Sequence, residues 1–280
     1  MNPEIGTTLL SADFDYVRQI VFEQSSVVLE AGKEYLVEAR LLSIVREREI
    51  SSLTELVEVL RQNYSNKLRR AVVEAMLTNE TSFFRGVKPF EAIREMVLPD
   101  LISRRASERT LNIWCAACSG GQEVYSLLML IKEHFPVLEG WNLRVIASDL
   151  SRRMLEKAAR GIYSQLEVNR GLPAAYLVKY FEKVGLEWEI DESLRKSIEF
   201  VSVNLGAAWP LLPIMDLVLM RNVMIYFDVE TKRRVLNQTA ELMKNDGYLF
   251  LGGVESTINL TDQFETVPWK KSSCFRPNRA

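Results

Sequence analysis

The sequence is poor in the residue types on which disulfide scaffolds, zinc sites and triad hydrolases depend. Its 280 residues include three cysteines and a single histidine. A small, odd number of cysteines in a chain this long argues against a disulfide framework and indicates a reducing compartment, so we expect a cytoplasmic protein. A structural zinc site takes four ligands, and triad hydrolases depend on a histidine base. We therefore expect neither a metal centre nor hydrolase chemistry.

The sequence also lacks a long apolar run and an excess of charge of one sign. The longest apolar stretch, residues 209–220, is interrupted by two prolines and Asp216. It falls short of the ~20 residues that cross a bilayer. The 35 basic and 37 acidic side chains leave a formal net charge of −2, which gives no overall field for a polyanion. We expect neither membrane insertion nor nucleic-acid binding.

The first 78 residues show helical periodicity. Between residues 10 and 78 there is one glycine, Gly32, and apolar residues recur at intervals of three and four. They form three groups: Val17, Ile20 and Val21; Val37, Leu41, Ile44 and Val45; Leu53, Leu56, Val57 and Leu60. A fourth helix is predicted over 66–77. The pattern predicts a small all-helical domain over residues 1–78.

The remaining residues, 79–280, change to short apolar runs separated by helical stretches. Strands are predicted at 111–114, 143–147, 198–201, 215–219 and 248–251. Helices are predicted between them at 124–135, 152–160 and 230–244, the last closed by 245–247. Alternation of this kind predicts an α/β domain with a mostly parallel sheet covered on both faces. Residues 172–198 fit it poorly and are predicted to form a small β insertion.

Two features at the ends of the first two predicted strands indicate a nucleoside-bearing ligand. Residues 115–123 form a loop of small residues that ends in Gly120-Gly121-Gln122-Glu123, where backbone can approach a ligand closely. Asp149 ends the second strand, where a carboxylate can accept hydrogen bonds from ribose hydroxyls. The loop lacks the G-x-G-x-x-G spacing that cradles pyrophosphate, which favours a ligand without phosphates. These features alone leave a dinucleotide and S-adenosylmethionine open.

Two further segments join polar residues to aromatic ones: residues 79–85 (NETSFFR) and 221–227 (RNVMIYF). Taken separately, their aromatics are ordinary core residues at the ends of elements. Together with the loop and Asp149, however, they closely resemble the chemotaxis-receptor glutamate methyltransferases, the CheR family. The resemblance covers nearly the whole chain. Its other matching pieces are residues 117–119, Glu123, 147–149, 204–205 and 249–252 before Glu255.

The resemblance implies an S-adenosylmethionine-dependent methyltransferase (Rossmann-like) sheet domain, preceded by a small receptor-binding helical domain and carrying a short β insertion. It implies methylation of glutamate side chains on cytoplasmic helices of chemoreceptors, which gives methyl esters and S-adenosylhomocysteine. The residues it assigns to the cofactor site are Asn79, Thr81, Arg85, Glu123, Asp149, Asn204, Leu205, Arg221 and Asn222. It places Arg85 and Tyr226 nearest the transferred methyl group, as catalytic residues.

That chemistry suits a chain with so little histidine. A sulfonium methyl group is already activated, and a glutamate with a pKa of about 4.3 is already an anion at neutral pH. No general base is required, so the protein has to position the anion and exclude the water around it. Arginine suits the first task because its guanidinium can hold a planar carboxylate through two hydrogen bonds, and Arg85 and Arg221 are the candidates.

This chain also departs from the family pattern. The loop usually carries Thr-Gly-Glu-Glu-Pro where residues 120–124 are Gly-Gly-Gln-Glu-Val, a change expected to loosen the turn and weaken cofactor affinity. Segment 182–200, where family members that grip a receptor's C-terminal tail peptide have a docking hairpin, looks short. We expect receptor recognition to be independent of such a tail.

The receptor helices are acidic in the family, so a basic face of the second helix should meet them. Arg40 and Arg46 are the predicted substrate-binding residues. The helical domain nevertheless has more acidic than basic side chains, so the alternative is that Arg40 and Arg46 are ordinary surface charges without a role in binding.

Two other functions stay open for the protein: a non-catalytic cofactor-binding scaffold of a signalling array, and a methyltransferase acting on a small molecule. The second leaves the helical domain unexplained.

Overall fold

The computed structural model describes residues 8–62, 66–270 and 272–278. The chain forms two compact units. The first comprises Met1–Thr78 and Tyr226–Thr231, and the second comprises Asn79–Ile225 and Lys232–Ala280. We refer to them as the helical unit and the sheet unit.

The helical unit contains the four predicted helices, and their apolar faces form its core. They are α1 (Ser11–Ser25), α2 (Glu34–Glu47), α3 (Leu53–Gln62) and α4 (Asn66–Met76). The periodic residues Val17, Leu41 and Leu56 are fully buried, as the spacing predicts. At the start of α3, Ser52 Oγ accepts a hydrogen bond from the Glu55 N–H at 3.0 Å, which satisfies one of the free donors of the first turn.

The sheet unit contains the predicted α/β core together with several shorter elements. Its helices are α5 (Val87–Ala92), α6 (Leu98–Arg104), α7 (Gln122–His134), α8 (Arg152–Arg160), α9 (Gln165–Asn169), α10 (Ala174–Tyr180) and α11 (Glu192–Lys196), and α12 (Val229–Leu242) completes the chain's series. Its strands are β1 (Thr110–Ala116), β2 (Asn142–Asp149), β3 (Ile162–Ser164), β4 (Phe181–Val184), β5 (Glu187–Ile190), β6 (Ile198–Ser202), β7 (Met215–Met220), β8 (Met243–Leu251), β9 (Phe264–Trp269) and β10 (Ser272–Pro277). Among the described residues, no helix is both long and apolar enough to cross a membrane.

The large sheet has the order β6-β2-β1-β7-β8-β10-β9 in the described part of the chain. The first five strands are parallel and correspond to the five predicted ones, which confirms the α/β fold. Strands β9 and β10 were not predicted, and they extend the sheet in antiparallel fashion. Strand β9 contains Pro268 and exposed polar residues, a pattern that is tolerated there because β9 is an edge strand.

A second, smaller antiparallel sheet has the order β3-β5-β4. The hairpin of β4 and β5 lies inside the insertion predicted over 172–198, and Gly185 turns it with a φ of +62°. The third strand, β3, precedes that range, so the small sheet begins about ten residues earlier than the sequence pattern indicates.

The prediction that residues 245–247 close the last helix was wrong. Helix α12 ends at Leu242, and those residues form a bulge in β8, where the pairing with β7 passes from Met215–Met243 to Leu217–Tyr248. The bulge is held by a buried charge network. Arg105 donates to Asp216 at 2.7 Å and to Asp246 at 2.9 Å, and the Asn112 N–H donates to Asp216 at 2.8 Å. This network joins the amino ends of β1 and β7 to β8.

Candidate cofactor and active site

The loop between β1 and α7 has a strained backbone that its neighbours hold in place. Ala117, Ser119 and Gly121 have φ values of +52°, +50° and +90°. Left-handed residues other than glycine cost of order 1 kcal/mol or more each, so the conformation has to be fixed from outside. The Cys118 N–H donates to the Ser148 carbonyl at 2.8 Å, which ties the loop to β2.

Asp149, at the end of β2, is oriented by this loop and by the next one. Its Oδ2 accepts a hydrogen bond from the Ser119 N–H at 2.8 Å, and its Oδ1 accepts one from the Ser151 N–H at 2.9 Å. The residue is only 7% exposed. The carboxylate is therefore fixed in position at the end of β2, where the sequence predicts a ribose contact.

Segment 79–85 is attached to the same loop and to α7. Ser119 Oγ donates to the Asn79 carbonyl at 2.8 Å, and Ser126 Oγ accepts from the Phe84 N–H at 2.9 Å. Phe83 is fully buried. The structure thus brings the segment containing Asn79, Thr81 and Arg85 to the loop after β1. The Arg85 side chain is partly exposed, and its Nη1 donates to the Glu80 carbonyl at 2.9 Å.

Glu123, on the first turn of α7, forms a buried ion pair with Arg221, which follows β7. Their side chains are 13% and 5% exposed, and Nη1 of Arg221 bonds the Glu123 carboxylate. Burial raises the pKa of Glu123, and the charge of Arg221 opposes that rise in part. Nη2 of Arg221 donates to the Arg85 carbonyl at 2.5 Å, whereas its buried Nε has no hydrogen-bond partner among the described residues.

The segment after β7 is held by Glu255, a residue to which sequence reasoning gave no role. Glu255 Oε2 accepts from the N–H groups of Asn222 and Gly252 at 2.8 and 2.5 Å. Its Oε1 accepts from those of Val223 and Ile225 at 3.0 and 3.2 Å. A carboxylate that collects backbone donors in this way fixes both the start of segment 221–227 and the turn after β8. The sequence signal was its place in the family resemblance, where it follows the matching residues 249–252.

Gly252 shows how closely these two segments approach. A Cβ atom there would lie 2.6 Å from Nδ2 of Asn222 and 2.8 Å from its backbone nitrogen. Both distances are too short for a real Cβ, so only glycine fits at this position. Asn222 itself has a φ of +58°. The predicted site residue is therefore set in an uncommon backbone conformation by its neighbours.

Asn204 and Leu205 follow β6 at the same edge of the sheet. Asn204 Oδ1 accepts from the Gly206 N–H at 3.0 Å, and the buried Leu205 accepts at its carbonyl from Trp209 Nε1 at 3.1 Å. The ring of Trp209 packs edge-on against Trp114 of β1, with 5.0 Å between centroids. The residues after β1, β2, β6 and β7 thus all lie at the carboxyl edge of the parallel strands, where open α/β sheets bind ligands.

Three predicted residues lie in the helical unit. The Tyr226 carbonyl accepts a hydrogen bond from the Val28 N–H at 2.8 Å, and its side chain is partly exposed. Arg40 Nη1 donates to the Met76 carbonyl at 2.6 Å and its Nη2 to Thr78 Oγ1 at 3.2 Å, so this guanidinium binds the end of α4. Arg46 is exposed.

Comparison with known proteins defines the class to which this site belongs. Residues 79–272 match the family described as CheR methyltransferase, SAM binding domain, and residues 12–77 match CheR methyltransferase, all-alpha domain. The chain therefore belongs to the CheR methyltransferase family.

Curated relatives match over almost their full length. Chemotaxis protein methyltransferase 1 of Pseudomonas aeruginosa is 39% identical over 270 residues, which are 95% of this chain and 98% of that protein. Chemotaxis protein methyltransferase Cher2 of Pseudomonas putida is 37% identical over 263 residues, which are 91% of this chain and 94% of that protein. Among solved structures, a TehB-like SAM-dependent methyltransferase from Corynebacterium glutamicum has a TM-score of 0.38 at 11% identity, covering 69% of this chain and 96% of that one.

The residues at the carboxyl edge fit S-adenosylmethionine, the cofactor of this family's sheet domain. Asp149 offers fixed acceptors for a ribose, and Glu123 offers an acceptor for an ammonium group. The buried Nε of Arg221, which lacks a partner among the described residues, is a donor suited to a carboxylate. A nucleoside that carries an amino-acid group needs this combination.

Proposed function

We propose that this protein methylates glutamate side chains on the cytoplasmic helices of chemoreceptors, in the cytoplasm, and forms glutamate methyl esters. The observation that carries the proposal is the donor set of the sheet unit, where the fixed Asp149 carboxylate and the Glu123–Arg221 pair follow neighbouring strands. The relatives' names, chemotaxis protein methyltransferase, supply the biological setting.

The bound donor supplies a methyl group activated by a positively charged sulfur. With that donor bound, one oxygen of the receptor glutamate would give the electron pair for the new C–O bond, and the pair of the broken C–S bond would remain on sulfur. Because the nucleophile is already an anion, no described side chain has to accept a proton. Asn79, Thr81, Asn204, Leu205 and Asn222 complete the donor site in this proposal.

Arg85 is the residue we assign to the receptor glutamate. Its guanidinium is partly exposed and uses Nη1 on the neighbouring Glu80 carbonyl, while its backbone carbonyl is bonded by Arg221. We propose that it orients the carboxylate, and that Tyr226 is the second catalytic residue, as the family resemblance implies. Tight neutralisation of the anion would slow the reaction, because that attraction is lost as the charge disappears. Orientation is therefore the larger part of the role of Arg85.

We propose that the receptor helix binds to the exposed face of α2 around Arg46, which we call the receptor dock. Arg40 was predicted beside it, and its guanidinium bonds Met76 and Thr78 at the end of α4. Arg40 therefore contributes by joining α2 to the end of α4, and so stabilises the surface that we propose for the receptor helix.

We further propose that recognition needs no receptor tail peptide, because the hairpin of β4 and β5 is short, at four residues a strand.

The test is a transfer assay with S-adenosylmethionine labelled on its methyl group and membranes that contain chemoreceptors. We expect label in the receptor band that is released as volatile methanol in mild alkali, as a carboxyl methyl ester requires. Alkali-stable label would contradict the glutamate assignment. Retained binding of S-adenosylhomocysteine without any transfer would instead support a non-catalytic scaffold.

A further inference from the structure

The small sheet makes a direct hydrogen bond to the loop after β1. Tyr163 of β3 is fully buried, and its phenolic hydroxyl donates to the Gly120 carbonyl at 2.7 Å. We propose that Tyr163 is a positioning residue for donor binding, which holds the loop of residues 117–123 in its binding conformation. This inference rests on the proposed donor site, because it concerns the same loop.

The loop lies directly against the tyrosine hydroxyl. A Cβ atom on Gly121 would stand 3.2 Å from Tyr163 Oη and 2.9 Å from the Ala158 side chain. The hydroxyl therefore bonds the carbonyl of Gly120 and stands where a side chain on Gly121 would have to go. Ser119 and Gly121, on either side of Gly120, both have positive φ values, so the contact falls at the most constrained part of the loop.

Tyr163 is itself held by aromatic packing. Its ring meets Phe83 edge-on with 5.1 Å between centroids and Phe181 of β4 with 6.2 Å. Phe83 belongs to segment 79–85, which carries three of the predicted site residues. The tyrosine thus connects the small sheet, segment 79–85 and the donor loop, and its rotamer is fixed by residues of all three.

The hydroxyl should matter for binding because the loop conformation is not one that its backbone prefers. Without the bond, the Gly120 carbonyl is buried with one partner fewer, and the strained residues around it can relax to other conformations. Only the binding-competent fraction takes up donor, so the apparent dissociation constant rises in inverse proportion to that fraction.

A comparison for this bond is the hydroxyl of Tyr125, whose ring packs against Tyr163 with 6.3 Å between centroids and borders Gly121, but whose hydroxyl bonds outside the loop. Tyr125 of α7 is equally buried, and its hydroxyl also donates to a backbone carbonyl, that of Ala158, at 2.6 Å. Tyr125→Phe and Tyr163→Phe each remove one buried hydroxyl and leave the ring in place. A merely structural role predicts the same effect from both.

We would measure the binding of S-adenosylhomocysteine by calorimetry, together with the melting temperature, for the wild type and both variants. We expect similar small decreases in melting temperature, but an increase in dissociation constant of at least about fivefold for Tyr163→Phe alone. Wild-type affinity in Tyr163→Phe, or equal weakening in both variants, would overturn the inference while leaving the proposed function intact. Failure of the wild type to bind would contradict the donor site itself.

A second variant covers the case in which Tyr163→Phe does not fold. Phe181→Leu keeps the tyrosine hydroxyl but loosens the packing that orients its ring. We expect a smaller loss of affinity, about twofold or more, with the fold intact by circular dichroism. Unchanged affinity in this folded variant would count against the inference.

Discussion

Glu255 accepts a hydrogen bond from the backbone N–H of Asn222 at 2.8 Å, although 33 residues separate them in the sequence. The same carboxylate also bonds the N–H groups of Val223 and Ile225. The position of the segment that starts with Arg221 therefore depends on an acidic side chain outside it.

Glu255→Gln should weaken donor binding with little effect on the fold. An amide has one acceptor oxygen and turns an NH2 group toward backbone donors, so about half of these bonds are lost. We expect an increase of about tenfold in the dissociation constant of S-adenosylhomocysteine, measured by calorimetry. Glu265→Gln, on the exposed face of the edge strand β9, is the control and should bind normally. Equal affinities of the two variants would show that Glu255 has no such role.

Asp149→Asn should also weaken donor binding. The replacement introduces a donor where the Ser119 and Ser151 N–H groups both need an acceptor, and it removes capacity for the ribose. We expect a loss of about tenfold to a hundredfold in affinity by calorimetry, from ~1–3 kcal/mol for a hydrogen bond to a charged group. The exposed Asp262→Asn is the matched control. Unchanged binding in Asp149→Asn would remove the ribose contact from the account.

Arg85→Ala should abolish methyl transfer and leave the protein folded. The side chain is partly exposed and donates a hydrogen bond to the local Glu80 carbonyl, so little packing is lost. Its proposed role is to orient the reacting carboxylate, an effect that can account for several powers of ten in rate. The control is Arg94→Ala, which removes an exposed arginine paired with Glu95 and should retain activity. A folded Arg85→Ala enzyme with normal turnover would exclude Arg85 from the mechanism.

The receptor dock is tested by comparing two arginines of α2. Arg46→Glu should raise the KM for receptor, because a negative charge at an exposed site repels an acidic helix, and kcat should change little. Arg40→Glu should mainly lower the melting temperature, since the variant loses the bonds to Met76 and Thr78. Steady-state kinetics on receptor membranes distinguish the two effects. An unaltered KM for Arg46→Glu would place the dock elsewhere.

The charge network of Arg105, Asp216 and Asp246 should contribute to the stability of the fold. Arg105→Ala leaves Asp216, which is fully buried, without its main partner, and should lower the free energy of unfolding by about 3–5 kcal/mol. The neighbouring Arg104 has a side chain that is 44% exposed; it pairs with Asp100 at 2.9 Å and lies 3.7 Å from Asp246 at the solvent-facing side of the network, and its removal should cost less than about 1 kcal/mol. Urea unfolding at pH 7 measures both values. Equal decreases in the free energy of unfolding for the two variants would mean that the buried position of Arg105 adds nothing to stability.

The same network sets a direction for the pH dependence of stability. The hydrogen bond to Arg105 holds the pKa of Asp246 below its ordinary value. A carboxyl with a lower pKa in the folded state stabilises the protein above its unfolded pKa of about 3.9, and this contribution is lost as the pH falls through the folded value. Asp246→Asn should therefore show a flatter decrease in unfolding free energy below pH 4. A decrease as steep as that of the wild type would contradict the assignment.

The sequence predicted the parts of the fold that depend on local pattern. Helical spacing gave α1 to α4, and apolar runs gave the five parallel strands, since each pattern reports burial on one face or both. The ends of the first two strands then indicated the loop of residues 115–123 and Asp149, because parallel strands present their carboxyl ends at one edge. Arg221 came from the family resemblance of segment 221–227.

The parts that were missed depend on contacts between distant residues. Strand β9 contains Pro268 and forms only because it pairs with β10 at the edge of the sheet. Residues 245–247 form a bulge in β8, where Arg105 binds Asp246. The contacts of Glu255 and Tyr163 with backbone groups leave no periodic signal, since what they bond is set by the fold. Local pattern and the family resemblance therefore supplied the candidate site residues, and the contacts that hold those residues in place required the structure.

The central claim is that the carboxyl edge of this sheet holds the methyl donor by its ribose and its amino-acid group. A crystal structure of the protein with S-adenosylhomocysteine tests it most directly. The account predicts ribose hydroxyls within about 3.2 Å of the Asp149 carboxylate, and the amino-acid end against Glu123 and Arg221. A ligand bound in the reverse orientation, or an edge left empty at saturating ligand, would contradict it.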